Sequence, residues 1–111
     1  MIDTHCHLSH QKLVGDVGGV LQHARDAGVH GMLTVGYDLP SSKAGVSIAE
    51  RERDVWAAVG VHPHDSNGFG TDDERQLRAM AISQRVVAIG EIGLDYHYGL
   101  SPRNSQRSAF A

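Results

Sequence analysis

A chain of 111 residues can build one hydrophobic core. Its 41% hydrophobic and 21% charged residues are ordinary for a globular protein in water, with no apolar run near the ~18 residues a membrane span needs. Ten basic against thirteen acidic residues leave a formal charge of −3, which argues against simple electrostatic binding of nucleic acid; a phosphate-bearing substrate held through divalent cations is not excluded. No leader-like basic or apolar region precedes the first apolar stretch, and the single cysteine, Cys6, has no partner for an internal disulfide, so the expected location is the cytoplasm.

Residues 1–7 read as a first strand carrying His5 and His7 at i and i+2. Alternate side chains on a strand share a face, so the two imidazoles face the same way and Cys6 turns into the packing layer behind. Asp16 is placed to cap a helix over 17–27. Val17, Val20, Leu21, Ala24 and Ala27 form its apolar stripe, Gly18 and Gly19 weaken its first turn, and Gly28 stops it. Residues 31–36 form a second, buried-type strand. After Tyr37-Asp38-Leu39-Pro40, Ser41 or Ser42 is expected to open a helix over 41–53. A third strand, 55–61, ends in His62-Pro63-His64-Asp65. Thr71 and Glu74 make a capping box for a helix over 72–83, with Leu77, Met80 and Ala81 facing inward. Residues 86–90 form a fourth strand, followed by Glu91, Asp95 and His97. Ser101 and Pro102 then read as N-cap and first residue of a fourth helix.

This β-α alternation predicts an α/β fold with a parallel sheet and helices packed outside it. The chemically capable residues gather at the C-terminal strand ends: His5 and His7, then Tyr37 and Asp38, then His62 and His64, then Glu91 with Asp95 and His97. Sites in parallel α/β sheets form at that end. Each of these residues alone has a plain structural reading, as a hydrogen-bonded histidine, a helix cap or a rigid turn. Asp38 by itself is most readily a cap. Their recurrence at one pole of four successive units points to a metal site. Imidazole and carboxylate donors suit Zn²⁺, Mn²⁺ or Mg²⁺, and Glu91 has two oxygens with which to bridge two ions.

Met1-Ile2-Asp3-Thr4-His5-Cys6-His7-Leu8 resembles the opening motif of the TatD family of metal-dependent deoxyribonucleases, in the amidohydrolase-like superfamily. Val59-Gly60-Val61-His62-Pro63-His64 resembles its second motif, and Gly90-Glu91-Ile92-Gly93-Leu94-Asp95-Tyr96 its third. Ser101-Pro102 with Gln106, Arg107 and Phe110 resembles the helix that follows. The resemblance implies a TIM-type (β/α) barrel with two metal ions that hydrolyses DNA phosphodiester bonds. It implies His5 and His7 as ligands of the first ion, Glu91 as catalytic bridge between both, and His62, His64 and Asp95 as substrate-placing residues. Asp3 would brace the histidine pair.

Ser9 stands where the family commonly carries aspartate, a change that loosens a supporting hydrogen bond and removes no ligand. A whole barrel takes roughly 250 residues. Residues 1–111 are therefore expected to form one partial domain, an N-terminal half-barrel of four βα units, inactive by itself. The remaining ligands implied by the resemblance, two histidines and an aspartate, have no match here. No obligatory protein partner is expected, but the two open sheet edges allow self-association. Two further readings stay open: a metal hydrolase of the same superfamily acting on amides, esters or aminoacyl esters, and a non-enzymatic metal-binding half-barrel.

Overall fold

A computed structural model describes residues Met1–Ala111. Four strands, β1 (Ile2–Cys6), β2 (Gly31–Val35), β3 (Val55–Val59) and β4 (Val86–Ile89), pair in parallel in the order β1-β2-β3-β4. The helices between and after them are α1 (Val17–Asp26), α2 (Leu39–Arg51), α3 (Thr71–Met80) and α4 (Arg103–Phe110). Short 3₁₀ turns occupy Val14–Asp16 and Pro63–Asp65. The predicted α/β architecture is present, with each strand ending one or two residues before its predicted limit. No helix is long and apolar enough to cross a membrane.

The core forms where α1 and α2 cover the sheet. Leu8, Leu21, Met32, Ile48, Ala49, Val55 and Ala57 are buried together, with Cys6 packed against them. Small residues let α2 approach closely. A Cβ on Gly45 would lie 3.3 Å from the Thr34 methyl, and Ser42 is fully buried. The two edges of the sheet are different. β1 and β4 are largely exposed, with Ile2, Val87 and Ile89 more than half accessible, whereas β2 and β3 are buried nearly throughout.

Three predicted helix starts are corrected. α2 begins at Leu39, because Asp38 and not a serine caps it. The Asp38 carboxylate accepts the Ser41 N–H at 2.7 Å, and the Asp38 N–H donates to Ser41 Oγ at 3.0 Å. α3 begins at Thr71 itself, capped by Gly70, whose N–H donates to Asp73 Oδ2 at 2.8 Å. A glycine has no side chain to return that bond, so only half of a capping box exists, shifted one residue from the predicted one. α4 starts at Arg103 with Pro102 as its cap. Ser101 is used elsewhere, as its buried hydroxyl donates to the His64 carbonyl at 2.6 Å and accepts the Asn67 N–H at 3.2 Å.

The predicted inward face of α3 is present only in part. Leu77 and Met80 are half-buried, but the helix stops at Met80 instead of residue 83, Ala81 and Ile82 are exposed, and no α3 residue is fully buried. Between α3, β4 and α4 lies an open apolar cavity of about 540 Å³, lined among others by Val61, Leu77, Ile89, Ile92 and Phe110.

Candidate metal centre

The site is built on glycines that end strands. Gly36, Gly60 and Gly90 each follow the last residue of β2, β3 and β4. A Cβ on Gly60 would stand 2.7 Å from the Gly90 carbonyl carbon and 3.0 Å from the Glu91 nitrogen; on Gly36 it would collide with Ser42. Ser42 Oγ in turn donates to the Gly60 carbonyl and accepts its N–H, both at 3.2 Å. Across this floor the Glu91 N–H donates to the Gly36 carbonyl at 2.7 Å, and His62 N–H to the Tyr37 carbonyl at 2.8 Å. These bonds carry Glu91 from the fourth strand toward the histidines of the first. The aliphatic-Gly ending recurs three times in the sequence, a signal that reading for polar groups alone passes over.

His5 and His7 share a face as predicted, with their Nε2 atoms 3.3 Å apart. Glu91 Oε2 lies 3.7 Å from His5 Nε2 and 4.0 Å from His7 Nε2. Donors bound to one ion at about 2.0–2.2 Å lie roughly 3–4 Å from one another, so this spacing matches a shared cation. The three side chains form a group whose ligand atoms all fall within 4.8 Å. A hydrogen bond fixes the His7 ring in the form a metal needs. Its Nδ1 sits 2.8 Å from the Val35 carbonyl, which only accepts, so Nδ1 carries the proton and Nε2 presents its lone pair.

His62 has the opposite arrangement. Its Nδ1 accepts the His64 N–H at 3.1 Å, so the neutral ring carries its proton on Nε2, 3.7 Å from Glu91 Oε1. It presents a donor and not a lone pair, and it faces the second carboxylate oxygen.

His64 turns away from this cluster. Its Nε2 lies 2.6 Å from Asp95 Oδ2. That hydrogen bond, and then the N–H groups of Tyr98 and His97 on Oδ1, hold the Asp95 carboxyl below the usual aspartate range. Asp95 is anchored further by Gln106, a residue with no predicted site role. The Gln106 Oε1 accepts the Asp95 N–H at 2.8 Å, and its Nε2 donates to the carbonyls of Asp95 and Ser101 at 2.9 Å each.

The remaining strand-end residues lie outside the cluster. Asp38 is occupied as a helix cap, His97 is exposed, and Tyr37 sets its ring edge against His7 at 5.7 Å. Asp3 braces His5 through the backbone, accepting the His5 N–H at 3.0 Å, where the β1–β2 register slips between Asp3 and Cys6. Cys6 donates to the Leu33 carbonyl, and burial followed by the nearby Asp3 charge pushes its thiol up to about 11. It is half-buried packing material. Ser9, the departure from the family pattern, has a buried hydroxyl without a hydrogen-bond partner.

The family described as TatD related DNase matches residues 2–111. A protein of Enterobacter lignolyticus named 3'-5' ssDNA/RNA exonuclease TatD is 36% identical over 111 residues, covering 100% of this chain and 43% of the relative. The Bacillus subtilis protein named uncharacterized metal-dependent hydrolase YabD is 33% identical over 110 residues, with 99% and 43% covered. Among solved structures, the TatD homolog YjjV from Escherichia coli superposes with a TM-score of 0.88 at 29% identity, covering 99% of this chain and 43% of that one. A Saccharomyces cerevisiae amidohydrolase, at TM-score 0.76 and 21% identity, shares the fold. The chain thus spans less than half the length of these relatives, and its four parallel strands with their helices are a half-barrel of the kind predicted. With the three motifs in order and the match running from residue 2 to the last, this chain belongs to the TatD-related DNase family.

Proposed function

We propose that this chain is the metal-holding part of a divalent-metal-dependent nuclease that hydrolyses DNA phosphodiester bonds in the cytoplasm. One observation carries the reading: donor atoms of His5, His7 and Glu91, from the first and last strands, converge within 4.8 Å, with His7 already in the metal-accepting tautomer. The names of the relatives, an exonuclease and a metal-dependent hydrolase, point the same way.

In this reading His5, His7 and Glu91 would hold the metal, and the second carboxylate oxygen of Glu91 would be available to a second ion. Bound Mg²⁺, Mn²⁺ or Zn²⁺ supplies Lewis acidity and lowers the pKa of a water toward neutrality. The His62 Nε2–H, beside Glu91 Oε1, donates to a phosphate oxygen and fixes the substrate. Asp95 keeps His64 Nε2–H occupied and the ring oriented at the edge of the mouth. The further ligands that the family resemblance implies, two histidines and an aspartate, have no match in these 111 residues, so the chain alone is expected to bind metal weakly and to cleave DNA little or not at all.

Calorimetric titration with Mn²⁺ and Zn²⁺ tests the site. Wild-type chain is expected to bind, and Glu91→Gln to lose at least about 100-fold in affinity, the upper range for disturbing a metal's surroundings. Equal binding by both proteins overturns the assignment. A chimera completed with the rest of the Enterobacter relative tests the substrate. Faster turnover of amides or aminoacyl esters than of DNA overturns the phosphodiester reading, and brisk DNA cleavage by the 111-residue chain, lost in His5→Ala, overturns its inactivity.

A further inference from the structure

The half-barrel is more open than its mass requires. At 12.0 kDa it exposes 6802 Å², where a compact monomer of that mass exposes about 6,000 Å². Its radius of gyration is 14.4 Å, against about 13 Å for a compact domain of the same length. The surplus of about 800 Å² equals the area that one partner contributes to a stable protein interface.

The two sheet edges carry much of the uncovered apolar surface. β1 pairs only with β2 and β4 only with β3, so each leaves one row of backbone groups unpaired. Edge strands are ordinarily guarded by charged side chains or proline. β4 reads Val-Val-Ala-Ile and has neither, and β1 has one charge, Asp3. Val87 and Ile89 on β4, and Met1 and Ile2 at the β1 edge, are more than half exposed. Ile89 also continues into the open apolar cavity between α3, β4 and α4.

Strand direction and curl decide what these edges can accept. All four strands run parallel, so a β4 edge accepts a β1 edge running the same way, and the chain presents one of each. The sheet is also curled. Laid flat, three gaps of about 4.8 Å would hold β1 and β4 about 14 Å apart. Instead the Glu91 N–H reaches past β3 to the Gly36 carbonyl, and Glu91 Oε2 lies 3.7 Å from His5 Nε2. Two such curled sheets, related by a two-fold axis along the barrel, make two identical β4–β1 seams. They close at eight strands, the number at which side chains just fill a barrel interior.

We infer that the β1 and β4 edges are an interaction surface whose occupant is a second copy of this chain, paired β4 to β1 at both seams in a closed, eight-stranded dimer. Backbone pairing and apolar contact carry the dimer and no metal is needed, so this inference and the nuclease reading fail separately.

Sedimentation equilibrium of the 111-residue chain in EDTA is the measurement. A mass near twice 12.0 kDa that falls toward 12.0 kDa on dilution is expected. Ile2→Lys and Val87→Lys each put a charge on one edge at an exposed position, and circular dichroism checks that the fold is kept. Each is expected to weaken self-association about tenfold or more. Mixing Ile2→Lys with Val87→Glu sets opposite charges on one seam and leaves the other seam unaltered, so the mixture is expected to regain the dimer that each variant loses alone. Glu91→Gln leaves the dimer intact.

A folded monomer at every concentration overturns the inference. So does an open series of larger assemblies, in which the seams fail to close, and so does a dimer indifferent to both edge substitutions. A monomer that pairs only with the remaining segment of the Enterobacter relative gives the edges to that segment and overturns the second copy as occupant. An edge-dependent dimer that takes up no metal supports the dimer and overturns the metal assignment alone.

Discussion

The two poles of the sheet are both charged, and they are built on opposite terms. At the N-terminal strand ends two arginines are closed by their partners. Arg25 makes hydrogen bonds of 2.6–2.8 Å with Asp54 and Glu52, and Arg85 donates to the carbonyls of Ala49, Glu52, Arg53 and Val55 while lying 4.9 Å over the Trp56 ring. At the C-terminal ends the distances open to 3.3–4.0 Å among His5, His7, His62 and Glu91, whose ring nitrogens and carboxylate oxygens face a shared space. Completed pairs hold a fold together; incomplete ones leave room for a ligand. The difference separates a pole of closed pairs from one that leaves space between its donors.

The substitution expected to break this division most severely is Gly60→Ala. Its new Cβ meets the backbone of Gly90 and Glu91, which cannot yield as a flexible side chain would. A loss of about 3 kcal/mol in stability is expected, together with weaker Mn²⁺ binding, because Glu91 is displaced with its strand end. Chemical denaturation and calorimetry on the same variant check both effects.

Arg85→Ala sharpens the division from the other side. It frees several carbonyls of a charged donor and removes the stacking on Trp56. A cost of about 2 kcal/mol is expected with metal affinity unchanged; altered metal binding would mean the poles are coupled.

A smaller effect is expected from Asp54→Asn. The pair with Arg25 is about a third exposed, so solvent screening limits it to about 1 kcal/mol. Hydrogen bonding to Arg25 holds the Asp54 carboxyl below its ordinary value. Its stabilisation is therefore fully present above the unfolded pKa and lost as pH falls through the lower folded one. Acid titration of stability should show a deficit in the variant at neutral pH that disappears in strong acid.

The smallest change is expected from Ser9→Ala. Removing a buried hydroxyl that has no partner should leave stability unchanged or raise it by up to about 1 kcal/mol in thermal melts. A loss of that size would show that the hydroxyl is satisfied in solution.

How much was legible in the sequence depended on the range of the interaction that decides each feature. The strands and helices followed from local periodicity, and the co-facing histidines from the two-residue repeat of a strand. Helix starts were less legible, because several residues competed for each cap. Asp38 displaced Ser41 as cap of α2, and Ser101 was drawn off by the His64 carbonyl, nearly forty residues away in sequence. The inward face of α3 is only half-covered, because an apolar stripe shows which side seeks cover and not whether cover is there.

The sequence by itself determined the order of elements, the strand-end position of the chemical groups and the family, all carried by short segments read independently. Only tertiary structure decided how those groups divide the work. Glu91 meets His5 and His7 because three glycine-ended strands pack without side chains between them. His7 presents a lone pair and His62 a proton because a carbonyl from β2 holds one ring and the His64 N–H holds the other. His64 is drawn to Asp95, which α4 fixes through Gln106. A hydrogen bond between distant segments sets which nitrogen carries the proton, and no local pattern of residues encodes that choice.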